Sequence, residues 1–174
     1  MILALDTYYY KNKAKTVCVC FTDISNNQPI HIYSEIIEGV SAYEPGAFYK
    51  RELPCILSIL KQVDLNEVTY IIVDSFVILD DSGKFGLGGH LFEALDKKIP
   101  IIGVAKSGFH ANKNNVLELL RGESKKPLYI SAIGIELQTA YMMIKSMHGA
   151  YRMPTLLQLL DTKTKENTKD FLEG

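Results

Sequence analysis

The hydrophobic spacing of the chain opens as a meander. Residues 2–10 and 15–23 read as two strands, with the polar turn "KNKA" between them. "SNNQP" marks the next turn, and "IHIYSEIIEG" alternates as a third strand does. Turns this short join antiparallel neighbours. "SAYEPG" then reads as a loop, after which Phe48, Leu53, Ile56, Leu57 and Leu60 fall at helical spacing within residues 47–63. Pro54 lies inside that pattern and predicts a helix that starts late or bends.

The second half changes period. "VTYIIVDSF" is a continuous apolar run reaching Asp74, as expected of a strand buried on both faces. A turn at "DDSG" leads through a glycine-rich stretch to a helix near residues 87–97, and "IPIIGVAK" is a further buried strand. "KPLYISAI" reads as the last strand. The helix after it has an apolar face of Leu137, Ala140, Tyr141, Ile144 and Met147, with Gly149 placed to stop it. "MPTLLQLLD" predicts a short final helix, and the charged residues 163–174 a loose tail. Residues 1–162 thus form one α/β domain: three antiparallel strands, then parallel strands, in a mixed sheet flanked by helices. Right-handed crossovers place the fourth strand beside the first, bringing Asp6 and Asp74 together.

That neighbourhood makes Asp6 the first residue needing an explanation. An ionised carboxylate next to the buried run "ILAL" is costly without a hydrogen-bonded, salt-bridged or metal-ion partner. Two carboxylates on adjacent strands repel unless one is protonated or a cation bridges them. Glu52, on the helix linking the two halves, is a candidate third ligand. An all-oxygen set of this kind suits Mg²⁺ or Mn²⁺ better than zinc.

Composition narrows the setting. With 174 residues, 47% hydrophobic and 22% charged, the chain has the make-up of an ordinary globular domain. No apolar stretch approaches the ~20 residues of a membrane span, and no secretory leader is visible at the start. Cys18, Cys20 and Cys55 lack zinc-type spacing and read as reduced core residues of a cytoplasmic protein. A net charge of −1 excludes a basic coat, so nucleic-acid binding would need local patches. Lys11, Lys13 and Lys15 form one candidate patch, and Arg121, Lys125 and Lys126 another. For each cluster taken alone, solvated surface lysines are the plainer reading.

Several motifs go further. The chain carries "DTYY", with Tyr9 three residues after Asp6, then "YEPGAFYKRELP", "IIVD", "FGLGGHL", "PIIGVAK", "LYIS" and "YRMP". In this set and order, spanning residues 3–160, the sequence resembles endonuclease V, a family of metal-dependent nucleases with a ribonuclease H-like fold. That family cuts near deoxyinosine in DNA, and some members act on inosine in RNA. The resemblance implies Mg²⁺ (or Mn²⁺) held by Asp6, Glu52 and Asp74, with Lys106 as the active-site lysine. It places the wedge tyrosine at Tyr43, in a substrate-binding loop with Pro45 and Gly46. Tyr9 and Gly88 are further candidates for substrate contact. The implied partner is DNA, RNA or both, and the expected state is a monomer with no membrane association.

The departures from the family pattern fall around the base pocket. Asp74 is followed by "SFV" in place of glycine–histidine–glycine, Asp80 stands where a histidine is common, and "ISAIGIEL" lacks the histidine of a "GHR" motif. Residues 107–127 also form a shorter segment than is typical. Asp80 in "DDSG" reads as a turn residue. Glycines 86, 88 and 89 do not follow the strand directly, so they permit close packing or backbone contact with a nucleotide rather than forming a dinucleotide fingerprint. His90 could pack, cap or touch substrate. Tyr43 could be a wedge or could pack on the sheet, and Lys106 could be an ordinary strand-end lysine. The missing histidines leave two alternatives to an inosine-specific nuclease: a non-catalytic nucleic-acid-binding protein, and a nuclease that reads strand structure.

Overall fold

The computed structural model describes residues 1–40 and 42–166. The first three strands, β1 (Ile2–Tyr10), β2 (Lys13–Phe21) and β3 (His31–Glu38), form the expected antiparallel meander. The β1–β2 turn is two residues tighter than the sequence pattern implied: Tyr10 already pairs with Lys13, and Lys11 takes the left-handed φ of 52° that closes so short a connection.

Helix α1 (Tyr49–Leu60) crosses to β4 (Tyr70–Val73), which lies parallel to β1 as the handedness rule required. Helix α2 (Leu87–Ala94) then leads to β5 (Ile101–Ala105), parallel to β4. Pro54 neither delays nor splits α1. The helix runs through it and has already begun at Tyr49, with backbone bonds of the tighter i→i+3 kind at Lys50 and Arg51.

Two features were not legible in the pattern. A short strand β6 (Leu117–Leu119) precedes β7 (Leu128–Ile133), and β7 runs antiparallel to both β5 and β6. A parallel return needs a crossover of a dozen or more residues, usually helical, and the polar residues 107–127 contain no helix. The seven-stranded order is β3-β2-β1-β4-β5-β7-β6.

Strand alternation divides the core into two layers. Leu3, Leu5, Ile71 and Val73 pack with Ile56, Ile59 and Leu91 beneath α1 and α2. Ile2, Ala4, Ile72, Ile102 and Val104 face the other way, against α3 (Leu137–Ser146) and α4 (Thr155–Lys165). The final helix is longer than expected. Residues 163–165, assigned by sequence to a tail, are helical because Thr164 is fully buried and donates to the Asp161 carbonyl oxygen at 2.8 Å. The remainder of that tail, residues 167–174, lies outside the described residues. Among those described, no helix is long and apolar enough to cross a membrane, and Cys18, Cys20 and Cys55 are buried free thiols.

Candidate active site

Asp6, Asp74 and Lys106 extend the face of the sheet that carries Ala4, Ile72 and Val104. Leu5 pairs with Val73 in the parallel β1–β4 register, and the Asp74 N–H donates to the Leu5 carbonyl oxygen at 3.3 Å. The two carboxylates therefore emerge side by side, Asp74 just past the end of β4 and Asp6 midway along the longer β1. Lys106 follows β5 at the same edge, and its Nζ reaches Asp74 Oδ2 at 3.0 Å.

A fourth residue completes the group, and sequence reasoning missed it. Asp161 projects from α4 into the same cleft, where its Oδ1 lies 2.9 Å from Lys106 Nζ and 2.9 Å from Lys165 Nζ. One ligand oxygen each from Asp6, Asp74 and Asp161 lie within 4.8 Å of one another. The signal was available: Asp161 sits four residues after Leu157, one after Leu160 and three before Thr164, all buried. An acid on the apolar face of an amphipathic helix is the anomaly to look for. Reading the helix as ending at Asp161 concealed it.

The electrostatics follow from crowding. Burial, and then the charge of Asp74, raise the Asp6 carboxyl to about 7, although Lys106 and a 2.8 Å bond from the Thr7 N–H oppose the shift. Lys106 loses hydration, but its bonds to Asp161 and Asp74 outweigh this and hold its pKa above the ordinary lysine value. Asp161 also loses hydration, and its bonds to Lys165 and Lys106 keep it below the usual carboxylate range.

Glu52 approaches from the opposite layer. It lies in the first turn of α1 and is 2% exposed. Burial, then Asp6 and Asp74, push its carboxyl well above the ordinary value against the pull of Arg51. It is thus an electrostatic neighbour of both aspartates but lies outside the trio within 4.8 Å. The guanidinium of Arg51 stacks 3.6 Å over the Tyr9 ring. Tyr9 shares the strand face of Leu3 and Leu5, and its hydroxyl is buried without a hydrogen-bond partner. It belongs to the α1 layer, where its ring carries Arg51, the neighbour of Glu52.

The other candidates separate clearly. Tyr43 is 58% exposed, so it projects from its loop rather than packing on the sheet. Pro45 and Gly46 are exposed beside it, with Gly46 at φ +77° and Glu44 paired to Lys50 at 3.3 Å. Gly88 packs closely: it is buried, its N–H donates to the Phe76 carbonyl oxygen, and a Cβ there would meet Val77 Cγ2 at 2.6 Å. Asp80 is the turn residue its motif implied, accepting from the Ser82 N–H, the Ser82 hydroxyl and the Lys84 N–H. His90 packs, stacked 3.6 Å from Tyr49.

Neither proposed basic patch survives as drawn. Arg121 is 7% exposed and donates to the carbonyl oxygens of Met147, Gly149, Tyr151 and Arg152, fixing the loop before α4. Lys13 and Lys15 are largely buried, Lys13 against Glu38 and Lys15 on the Glu166 carbonyl oxygen. Arg152 donates to the carbonyl oxygens of Lys106 and Pro127, tying the ends of β5 and β7 together and fixing the backbone that presents Lys106.

Residues 1–122 match the profile of the family described as Endonuclease V. The chain belongs to the endonuclease V family. Members of this family are nucleases, hydrolases acting on phosphodiester bonds, and the acid trio is consistent with their metal dependence. The fold agrees. The catalytic domain of human Endonuclease V superposes with a TM-score of 0.79 at 21% identity, covering 98% of this chain and 83% of that one. Endonuclease V from Bacillus subtilis gives 0.78 at 19% identity, with 99% and 81% covered. The Ciona intestinalis enzyme, solved with a 24mer DNA containing an inosine followed by a ribo-adenosine, gives 0.75 at 18% identity, with 98% and 86% covered. No curated protein sequence matches. The mixed sheet is the ribonuclease H-like one that the motifs implied.

Proposed function

We propose that this endonuclease V family member hydrolyses a phosphodiester near deaminated adenine, deoxyinosine in DNA or inosine in RNA, with Mg²⁺ as its metal and Mn²⁺ as a substitute. The observation carrying the reading is the convergence of Asp6, Asp74 and Asp161, with Lys106 between two of them. The donor set fits such an ion: it is all carboxylate, contains no histidine or cysteine, and already accommodates a cation in the Lys106 ammonium. Asp6, Asp74 and Asp161 would hold the ion, with Glu52 completing the set from the α1 side.

A divalent ion bound there would neutralise phosphate charge and make a water more acidic than bulk. The chain's own residues do the rest. Lys106, anchored through Arg152, is placed to offer its ammonium to a phosphate oxygen as charge develops there. Arg51, held over the Tyr9 ring, places a positive charge near Glu52 that opposes the rise of its pKa. Tyr43, exposed on its loop with Pro45 and Gly46, fills the stack while a neighbouring purine is turned out. The same reading takes the protein to be a cytoplasmic monomer, supported as to compartment by three buried free thiols.

The deciding experiment is incubation with inosine-containing and plain DNA and RNA in Mg²⁺, Mn²⁺ or EDTA. Cleavage confined to inosine strands and abolished by EDTA is the expected result. Cleavage that persists in EDTA, or none on any strand, would sink the proposal.

A further inference from the structure

Helix α4 carries two lysines in its last turn, and they are placed differently. Lys163 pairs with Glu166 at 2.8 Å. Lys165 pairs with Asp161 at 2.9 Å and so stands at the acid cleft itself. The turn beneath it is fixed: the buried Thr164 hydroxyl donates to the Asp161 carbonyl oxygen, and Lys15 Nζ donates to that of Glu166. The Lys165 side chain is 52% exposed, against 37% for Lys106. Its backbone is therefore held while its ammonium lies at the solvent rim.

The pairing exceeds what one carboxylate needs. Asp161 Oδ1 accepts from Lys106 and from Lys165, each at 2.9 Å, and a carboxylate oxygen offers about two acceptor positions. The two ammoniums are consequently no more than twice that distance apart. A divalent ion drawing on Asp161 would compete with both donors and repel both charges. Lys106 has Asp74 as a second partner at 3.0 Å. Lys165 makes no other ion pair among the described residues. On a nucleic acid, the anion that a displaced ammonium meets is a phosphate. Successive phosphates of a duplex strand advance by about 3.4 Å, so two ammoniums at this spacing can serve neighbouring ones. A lysine in the last turn of a helix also complements the helix dipole, and that role alone would leave strand binding indifferent to Lys165.

We propose that Lys165 is a phosphate-binding residue, withheld on Asp161 in the metal-free protein and released when a divalent ion takes that carboxylate. This rests on reading the acid cleft as the place where an ion and a nucleic-acid backbone meet. Lys106 serves the phosphate being cleaved, and Lys165 the next one along the strand. Ion and strand then bind cooperatively. The coupling is reciprocal: the factor that Mg²⁺ adds to strand affinity is the factor that the strand adds to Mg²⁺ affinity. A phosphate contact carries no sequence information, so it operates on plain strands as well as on inosine strands.

The test is fluorescence anisotropy of a labelled plain single strand, in EDTA and in Mg²⁺, with Lys165→Met and Lys165→Arg beside the parent protein. Calorimetry of Mg²⁺ with and without the strand measures the coupling from the other side. Both substitutions keep a long side chain at an exposed position. In Mg²⁺, Lys165→Met should bind the strand about 3- to 10-fold more weakly, with a salt slope shallower by ~0.7, as expected for one lost phosphate contact on a single strand. In EDTA it should bind as the parent does. Its Mg²⁺ affinity without the strand should be unchanged or tighter, and Lys165→Arg should restore strand binding in Mg²⁺. Equal weakening in EDTA and Mg²⁺ would make Lys165 a general surface charge, and no weakening in either would leave it a helix-end ion pair. Either result overturns the proposal. A parent protein whose strand binding ignores Mg²⁺ would remove this proposal together with the reading of the cleft. Coupling through Lys165 without cleavage of inosine strands would retain the phosphate contact and remove the nuclease.

Discussion

Lys106 Nζ lies 3.0 Å from Asp74 Oδ2 and 2.9 Å from Asp161 Oδ1, so a side-chain ammonium stands between two of the three clustered acids. In the metal-free protein it offsets part of their repulsion, and a divalent ion entering the trio would compete with it. Lys106→Ala should therefore leave Mg²⁺ binding intact or tighter by calorimetry while lowering the cleavage rate by at least tenfold. Loss of Mg²⁺ affinity in this variant would show that the lysine supports the ion rather than the phosphate.

The trio also sets a pH dependence. Asp6 is raised from 3.8 to about 7, first by burial and then by Asp74, so the folded protein holds that proton where the unfolded chain releases it. Stability of the metal-free protein should accordingly fall as pH rises from about 4 to 7, and level off above that. The full shift corresponds to at most about 4 kcal/mol at ~1.36 kcal/mol per unit. Asp6→Asn should flatten the slope and leave the protein at pH 8 as stable as the parent or more so, while abolishing cleavage. Denaturant titrations at pH 5 and pH 8 measure this. An unchanged slope in the variant, or a large loss of stability with cleavage retained, would mark Asp6 as a structural hydrogen-bonding residue.

Asp161 is the residue that most separates the sequence reading from the structure. If it shares an ion with Asp6 and Asp74, Asp161→Asn should weaken Mg²⁺ binding by about tenfold or more and cost cleavage as severely as Asp6→Asn. Its two lysine partners argue the alternative, a helix-surface ion pair of the kind worth under ~1 kcal/mol. In that case Mg²⁺ affinity would not move.

What could be read in advance divides along physical lines. Asp6 and Asp74 were legible because strands of this kind admit few topologies: a right-handed crossover fixes β4 beside β1, and the register does the rest. Helix α1 announced itself by period, and Pro54 misled only about where it began. Asp161 could be noticed as an acid among the buried Leu157, Leu160 and Thr164, but that it meets Asp6 and Asp74 depended on how α4 seats on the sheet, a tertiary fact. The reversal of β7 had the same origin, since β6 is three residues long and carries almost no periodic signal. Arg121 resembled a surface charge because its four carbonyl partners lie 26 to 31 residues away. Gly88 showed its glycine but not its neighbour, Val77.

Tyr43 separates recognition from cleavage. It is 58% exposed on a loop, outside the acid trio, so Tyr43→Ala should leave folding and Mg²⁺ binding unchanged. A wedge replaces stacking lost when a base leaves the duplex, a contribution of ~1–3 kcal/mol. At ~1.4 kcal/mol per tenfold, the variant should bind an inosine-containing duplex about 5- to 100-fold more weakly. On single strands no stack has to be broken, so the deficit should shrink towards nothing there. Paired measurements on duplex and single strand of one sequence decide the point. Equal losses on both would make Tyr43 a general contact rather than a wedge, and no loss on either would leave it an ordinary exposed loop residue.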